Sequence, residues 1–360
     1  MHNRNYRQEI KEYGKRKRED GAMNSEWSKM LKSEMQNFGL ETTYRHILAK
    51  LSGDNREKWE DYWLSKQAAC KKLTLEQMKQ IAGDTFKRIK GTELHWENPQ
   101  TFDEKIHWLM LYDATPLKTR LVDKYLARDY VSKRIGEKYL IKQLGVWDNF
   151  DEIDFTKLPN QFVLKLNNGS GMNIIVKDKK CFNYAEAKRK FERWMQLNFA
   201  YIYFEMQYRD VPLKIIAEEY IEQLDGQLYD YKIHCFNGKP YCCQVIGDRN
   251  FRKHMAKETF FDTDWNPLAG SLGGYALYSI PPKRPQNVNE IFQVAKMLSK
   301  GFCYARIDLY SLDNQIYFGE FTFTPARGLH PNVHPRQLDL EWGQKIHLPE
   351  PYPLEIPKRK

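Results

Sequence analysis

The feature that most constrains this chain is a change of rhythm near residue 154. Before it, apolar residues recur at helical spacing; after it, they alternate with polar ones at period two, in short runs divided by glycine-bearing turns. Phe162, Leu164 and Leu166 then share one face of a strand, with Val163, Lys165 and Asn167 on the other. The loop NNGSGMN separates this strand from a second apolar run, Ile174 to Val176. Helices followed by strands imply a mixed α/β (α+β) fold, in which helices cover the sheets. At 360 residues the length favours about two domains or one large unit with an appendage.

Local signals fix several elements. Leu40, Tyr44, Ile47, Leu48 and Leu51 mark helix between Ser25 and about Lys90. Thr101 is placed to cap a helix carrying Phe102, Ile106, Leu109 and Met110. Thr115 caps another that starts with Pro116 and runs to Gly136. Asn183, with Glu186 three residues on, opens a helix through Phe191, Trp194, Met195 and Phe199. Leu213 to Ile221 reads as a short strand. Asn237-Gly238 is a strong hairpin signal between Asp230–Phe236 and Lys239–Val245. A helix from Val288 to Ser299 precedes a final hairpin, Phe302–Tyr310 with Ile316–Phe323.

Other features narrow the functional classes. No apolar run reaches the roughly 18 residues of a membrane helix, and the N-terminus lacks the apolar stretch of a secretory signal, so a cytoplasmic protein is expected. Six cysteines without a CxxC pair, and nine histidines without ligand spacing, argue against a His/Cys metal site. The formal charge of +10 includes a basic arm with Lys15 to Arg18 consecutive. It is either a solvated tail or a contact for an acidic partner such as nucleic acid, anionic lipid or an anionic substrate.

Three constellations can carry chemistry. Lys165 sits in an apolar strand leading to the glycine loop, where it either meets an anion or snorkels to water. The loop opens a strand rather than a helix, so it is not a P-loop and could equally be an ordinary turn. In the final hairpin, Arg306 and Asp308 share one strand face, and Glu320 and Thr322 share another. Two carboxylates on adjacent strands can hold Mg²⁺ against nucleotide phosphates, although a salt-bridged solvated face has the same pattern. Asp230 and Lys232 share a face of the Asn-Gly hairpin, and Glu218 and Glu219 end an apolar strand.

In order, the segments NPQTFDEKIHWLMLYD, LVDKYLARDYV, LPNQFVLKLNNGSGMNIIVKD, IAEEYIE, LYDYKIHCFNGKPY, RIDLY and IYFGEFTFTP resemble the ATP-grasp superfamily. More closely, the chain is similar to its TupA-like branch, associated with teichuronopeptide and bacterial surface-polysaccharide synthesis. The resemblance implies an ATP-grasp fold, two α/β lobes around an ATP cleft, with a helical N-terminal extension. The expected organisation is a disordered basic arm (1–22), the extension (23–97), a pre-grasp helical region (98–155), a small lobe with the glycine loop (156–222), a large lobe with the metal site (223–348) and a proline-rich tail (349–360).

It also implies roles. Lys124 and Lys165 would hold the ATP phosphates beneath Asn168, Gly169, Ser170 and Gly171. Glu218, Glu219, Tyr220 and Ile221 would form the adenine hinge. Asp230 would meet ribose, with Lys232 near the phosphates. Asp308 and Glu320 would hold Mg²⁺, with Thr322 standing where the superfamily usually has a third ligand, Asn. Arg306 would steady the transferring group. The implied activity is ADP-forming ligation of a carboxylate to an amine through an acylphosphate, amidating a uronic acid or acidic amino acid during capsule or cell-surface polysaccharide synthesis. Partners would be a uronic-acid glycan or its precursor, an amine or amino acid, and, through the arm, the inner membrane face. The alternatives are a sugar kinase or phosphotransferase on the same fold, or a non-catalytic scaffold or nucleic-acid-binding protein. The last is disfavoured because no aromatic–basic platform motif appears.

Overall fold

The structure is a computed structural model that describes residues 25–354 except 54, 170, 222–228, 251–254, 331, 332 and 334. The expected basic arm, Ser170 and the end of the proline-rich tail lie outside the described residues.

Helices α1 (Ser25–Leu51, interrupted at Gly39), α2 (Arg56–Cys70) and α3 (Leu75–Lys90) come first. They are followed by α4 (Phe102–Tyr112), α5 (Pro116–Val122) and α6 (Ala127–Ile135). Thr101 caps α4 reciprocally: its hydroxyl accepts from the Glu104 amide, and Glu104 accepts from the Thr101 amide. The single helix expected from Thr115 to Gly136 is instead two. Asp123 adopts extended backbone, and its carboxylate accepts from the amides of Tyr125 and Leu126, so a local cap competes with helix continuation. The break also lets the Lys124 amide donate to the Asn167 carbonyl at 2.7 Å, pinning the segment to the glycine loop.

A small antiparallel sheet contains β1 (Gln143–Trp147), β2 (Phe162–Leu166), β3 (Asn173–Val176) and, after helices α7 (Tyr184–Trp194) and α8 (Phe199–Tyr203), β4 (Ile215–Glu219). Its order is β1-β4-β2-β3. The helix expected to reach Phe199 ends at Trp194, and Asn198 caps α8 separately. Phe162, Leu164, Leu166, Ile215 and Ala217 bury one face with Phe191 and Trp194, leaving Val163, Lys165, Ile216 and Glu218 on the other.

The large sheet contains β5 (Asp230–Phe236), β6 (Lys239–Asn250), β7 (Met255–Phe261), β8 (Pro267–Leu268) and β9 (Ala276–Leu277). After α9 (Val288–Ser299) it is completed by β10 (Tyr304–Leu312) and β11 (Gln315–Thr322). Its order is β11-β10-β5-β6-β7-β8, with β9 beside β7. Asn237 and Gly238 both have positive φ (50° and 72°), as the tight Asn-Gly turn requires. One sheet face, with Ile233, Val245 and Ile307, packs under α9 and α6. The opposite face is apolar at one end, where Cys242, Phe260 and Tyr304 meet α4 and Trp342 of α10 (Gln337–Lys345), and charged along the same strands toward the small sheet.

Candidate active site

The register places the charged residues in rows. Arg306 pairs with Thr322 on one side and His234 on the other, and Asp308 pairs with Glu320 and Lys232. The Arg306 Nε and Nη2 donate to the two Asp308 oxygens at 2.7 and 2.8 Å, Nη2 also reaches Thr322 Oγ1 at 3.0 Å, and Lys232 makes a short ion pair with Asp308. Burial alone would raise the Asp308 carboxyl, but Arg306 and then Lys232 outweigh it and hold the group at about 2. Asp230 is ion-paired with Arg249 and lies 3.9 Å from Lys232.

On the small sheet, Lys165 makes a short ion pair with Glu218, whose other oxygen lies 3.3 Å from Arg128 Nη1. Burial lowers the Lys165 ammonium, and Glu218 only partly restores it. The Glu218 carboxylate is thus engaged by two cations. Next to it, Glu219 pairs with Lys142 at 2.7 Å and Tyr220 lies beneath the Lys177 ammonium, while Ile221 follows the strand.

Lys124 joins the two sheets. Its ammonium donates to the Gly169 carbonyl at 2.6 Å and lies 3.3 Å from Glu320 Oε2. The loop it grips is tightly built. Gly169 and Gly171 have φ of 68° and 69°, and a β-carbon on Gly169 would lie 2.2 Å from the Phe199 ring. Asn167 holds the loop base through Pro212 O and the Lys214 amide, each at 2.8 Å. Asn168 is buried with both side-chain amide atoms lacking a hydrogen-bond partner among the described residues, which is unfavourable unless a polar ligand reaches them.

The donor set suits a hard cation. Asp308 and Glu320 face each other across adjacent strands, and Glu320 keeps a third of its side chain exposed. With Thr322 beside them, they are the residues that would hold Mg²⁺, with Lys232 and Arg306 balancing the charge on Asp308. No group of three or more His, Cys, Asp or Glu forms a cation site among the described residues, and all six cysteines are free thiols.

A glycine loop over one sheet and a carboxylate pair on a second, joined by a lysine, define the ATP-grasp class. The profile of the TupA-like ATPgrasp family matches residues 104–347, and the chain belongs to that family. No curated protein matches the chain. Solved structures similar to it include D-alanine–D-alanine ligase from Bacillus anthracis complexed with ATP, at 17% identity and TM-score 0.36, covering 57% of this chain and 56% of that one. Others are the ADP complex of PurK, N5-carboxyaminoimidazole ribonucleotide synthetase (11%, TM-score 0.38, 67% and 57% covered), and the ATP-grasp ligase PsnB with minimal precursor (10%, TM-score 0.33, 59% and 55% covered). The chain thus spans a little over half the length of these proteins.

Sequence reading missed Arg128, Arg249, Glu205 and Arg327. Arg128 follows Lys124 by four residues, a spacing that could have drawn attention to it. Arg249 sits at the far end of β6, beyond the strand expected to stop at Val245, and the other two had no local signal.

Proposed function

We propose that this protein is an ATP- and Mg²⁺-dependent carboxylate–amine ligase that amidates a uronic acid or an acidic amino acid in bacterial capsule or cell-surface polysaccharide synthesis. The observation that carries the reading is Lys124, which touches the glycine loop and the Glu320 carboxylate at once. It would place a cation where loop-held phosphates approach the carboxylate pair.

In this reading Lys124 and Lys165 bind the phosphates, with the loop from Asn168 to Gly171 covering them. Residues Glu218 to Ile221 line the adenine end, and Asp230 meets ribose. A bound Mg²⁺ on Asp308 and Glu320 would neutralise charge on the phosphoryl oxygens. The acceptor carboxylate oxygen bonds to the γ-phosphorus as the bond to ADP breaks, and Arg306 would stabilise the charge that develops. The amine nitrogen then bonds to the acyl carbon, inorganic phosphate leaves, and the amine proton passes to solvent. Lys165, already less basic through burial, gains a favourable anionic partner when phosphate binds. The expected partners are a uronic-acid glycan or its precursor and an amine or amino acid. The expected location is the cytoplasm, with the basic arm holding the enzyme near the inner membrane face. No helix among the described residues is long and apolar enough to cross a membrane.

The test is nucleotide turnover with Mg-ATP against uronic acids crossed with amines. ADP and phosphate release that needs both co-substrates, and is lost in Asp308→Asn and Lys165→Ala, is expected. ADP formed without amine, together with a stable phosphorylated sugar, would replace the ligase by a kinase, and failure to bind ATP would refute both.

A further inference from the structure

Two cations rest on one aromatic ring, that of Tyr203. The Arg327 guanidinium lies 4.1 Å from the Tyr203 ring centroid, and the Lys66 ammonium, contributed by α2, lies 5.7 Å from the same centroid. Neither has an ion-pair partner among the described residues. The Arg327 charge acts against the Lys66 ammonium, and a bound anion would relieve that.

The backbone beneath Arg327 is strained for the purpose. Ala326 and Arg327 both take left-handed conformations, with φ of 46° and 58°, which are unfavourable for residues other than glycine. Gly328 then packs so closely on α4 that a β-carbon would lie 2.5 Å from His107 Nδ1 and 2.6 Å from the Asp103 carbonyl. The loop is therefore locked in the geometry that presents Arg327.

Next to Arg327 is a single carboxylate. Glu205, half-buried, accepts from Thr324 Oγ1 at 2.5 Å, and that hydroxyl accepts from Gln207 Nε2 at 2.8 Å, so its proton is directed at Glu205. Both Arg327 and Glu320 act electrostatically on Glu205, so the cluster adjoins the candidate metal carboxylates.

We propose that Lys66, Tyr203, Glu205, Thr324 and Arg327 form the site for the amine co-substrate, and that this co-substrate is an amino acid. Its ammonium meets Glu205, and its carboxylate meets Arg327 and Lys66. The inference rests on the ligase reading and deepens it. A simple amine would satisfy Glu205 and leave the cations repelling, and a carboxylate without an amine would do the reverse. A zwitterion satisfies both. Burial pushes the free Glu205 carboxyl up to about 7, and an ammonium beside it favours the ionised form. The N-terminal helices gain a role as one wall of the site, since α2 supplies Lys66 and also Arg56, whose Nη1 donates to the Gly171 carbonyl at 2.8 Å.

The experiment is calorimetric titration of the full chain, loaded with Mg²⁺ and the non-hydrolysable nucleotide AMPPNP, with the standard amino acids. Any that bind are compared with their methyl esters and N-acetyl derivatives. At least one free amino acid is expected to bind, with either derivative weaker by about tenfold or more. Arg327→Gln and Lys66→Gln should erase the preference for free acid over ester, and Glu205→Gln the preference for free amine over N-acetyl. Unchanged AMPPNP affinity reports that each variant is folded. If Arg327→Gln fails that control, Arg327→Lys and Lys66→Gln decide the matter. AMPPNP binding with no amino acid bound, or an ester that binds as well as the free acid, overturns the inference alone. Absence of AMPPNP binding to the wild type overturns the ligase reading and, with it, this one.

Discussion

Replacing Glu205 with glutamine should make the ligand-free protein more stable at alkaline pH while removing its preference for a free amine. In the folded chain, burial raises the carboxyl from 4.5 to about 7, against the opposing effects of Thr324 and Arg327 and with Glu320 adding to the rise. Tyr203 and Tyr208 complete the surroundings. Between pH 4.5 and 7 the folded state keeps a proton that the unfolded state has lost, so wild-type stability is full below 4.5 and falls as pH rises through 7. At 1.36 kcal/mol per unit, the loss amounts to about 3 kcal/mol. A glutamine amide does not titrate, so the Glu205→Gln variant escapes it. With unfolding entropy scaling with chain length, the advantage of Glu205→Gln over wild type should grow by roughly 3 °C in Tm between pH 5 and pH 8. Scanning calorimetry of both proteins at the two pH values measures it. A gap that is unchanged, or that shrinks toward pH 8, would refute the raised carboxyl and the electrostatic picture of Glu205 and its neighbours.

Asp308 should behave in the opposite sense. Its depressed carboxyl contributes stability that is present above the usual 3.8 and lost as pH falls toward 2, about 2 kcal/mol in all. Asp308→Ala leaves Arg306 and Lys232 buried without their partner and should cost about 3–5 kcal/mol in thermal or denaturant unfolding, whereas Asp308→Asn should abolish turnover with a smaller loss; a stable, active Asp308→Ala would contradict the site. Gly169→Ala should destabilise by about 1–3 kcal/mol and weaken nucleotide binding, because φ is 68° and the new methyl group would meet the Phe199 ring. A neutral Gly169→Ala would mean the loop is not held as described.

Much of the fold was legible because its signals are local. The Thr101 capping box, the Asn237-Gly238 turn, the alternation of Phe162 to Leu166 and the run of α9 each depend on residues a few positions apart. The strand β1 was not read. It is only five residues long, contains Gly145, and exists through pairing with β4 more than seventy residues later. The break at Asp123 was missed because the apolar stripe continues across it, while a side-chain cap and the Lys124 contact with the glycine loop decide the backbone path.

The candidate site divides in the same way. Arg306 and Asp308, and Glu320 and Thr322, lie two apart on their strands, so period two alone put each pair on one face, and the hairpin brought the pairs together. Glu205 and Arg327 come from distant parts of the chain and acquire their surroundings only where α2, α8 and the loop after β11 converge.

By itself, the sequence determined the local elements, the faces of the strands and the kinds of charge available, because these follow from periodicity, caps and turn chemistry. Tertiary structure alone decided which charges are neutralised by an opposite charge and which are gathered with their own kind. Lys165 meets Glu218 and Lys232 meets Asp308, while Arg327 and Lys66 share one ring without an ion-pair partner among the described residues. The physical reason is that charge pairing and desolvation depend on distances across the fold, which no spacing along the chain encodes.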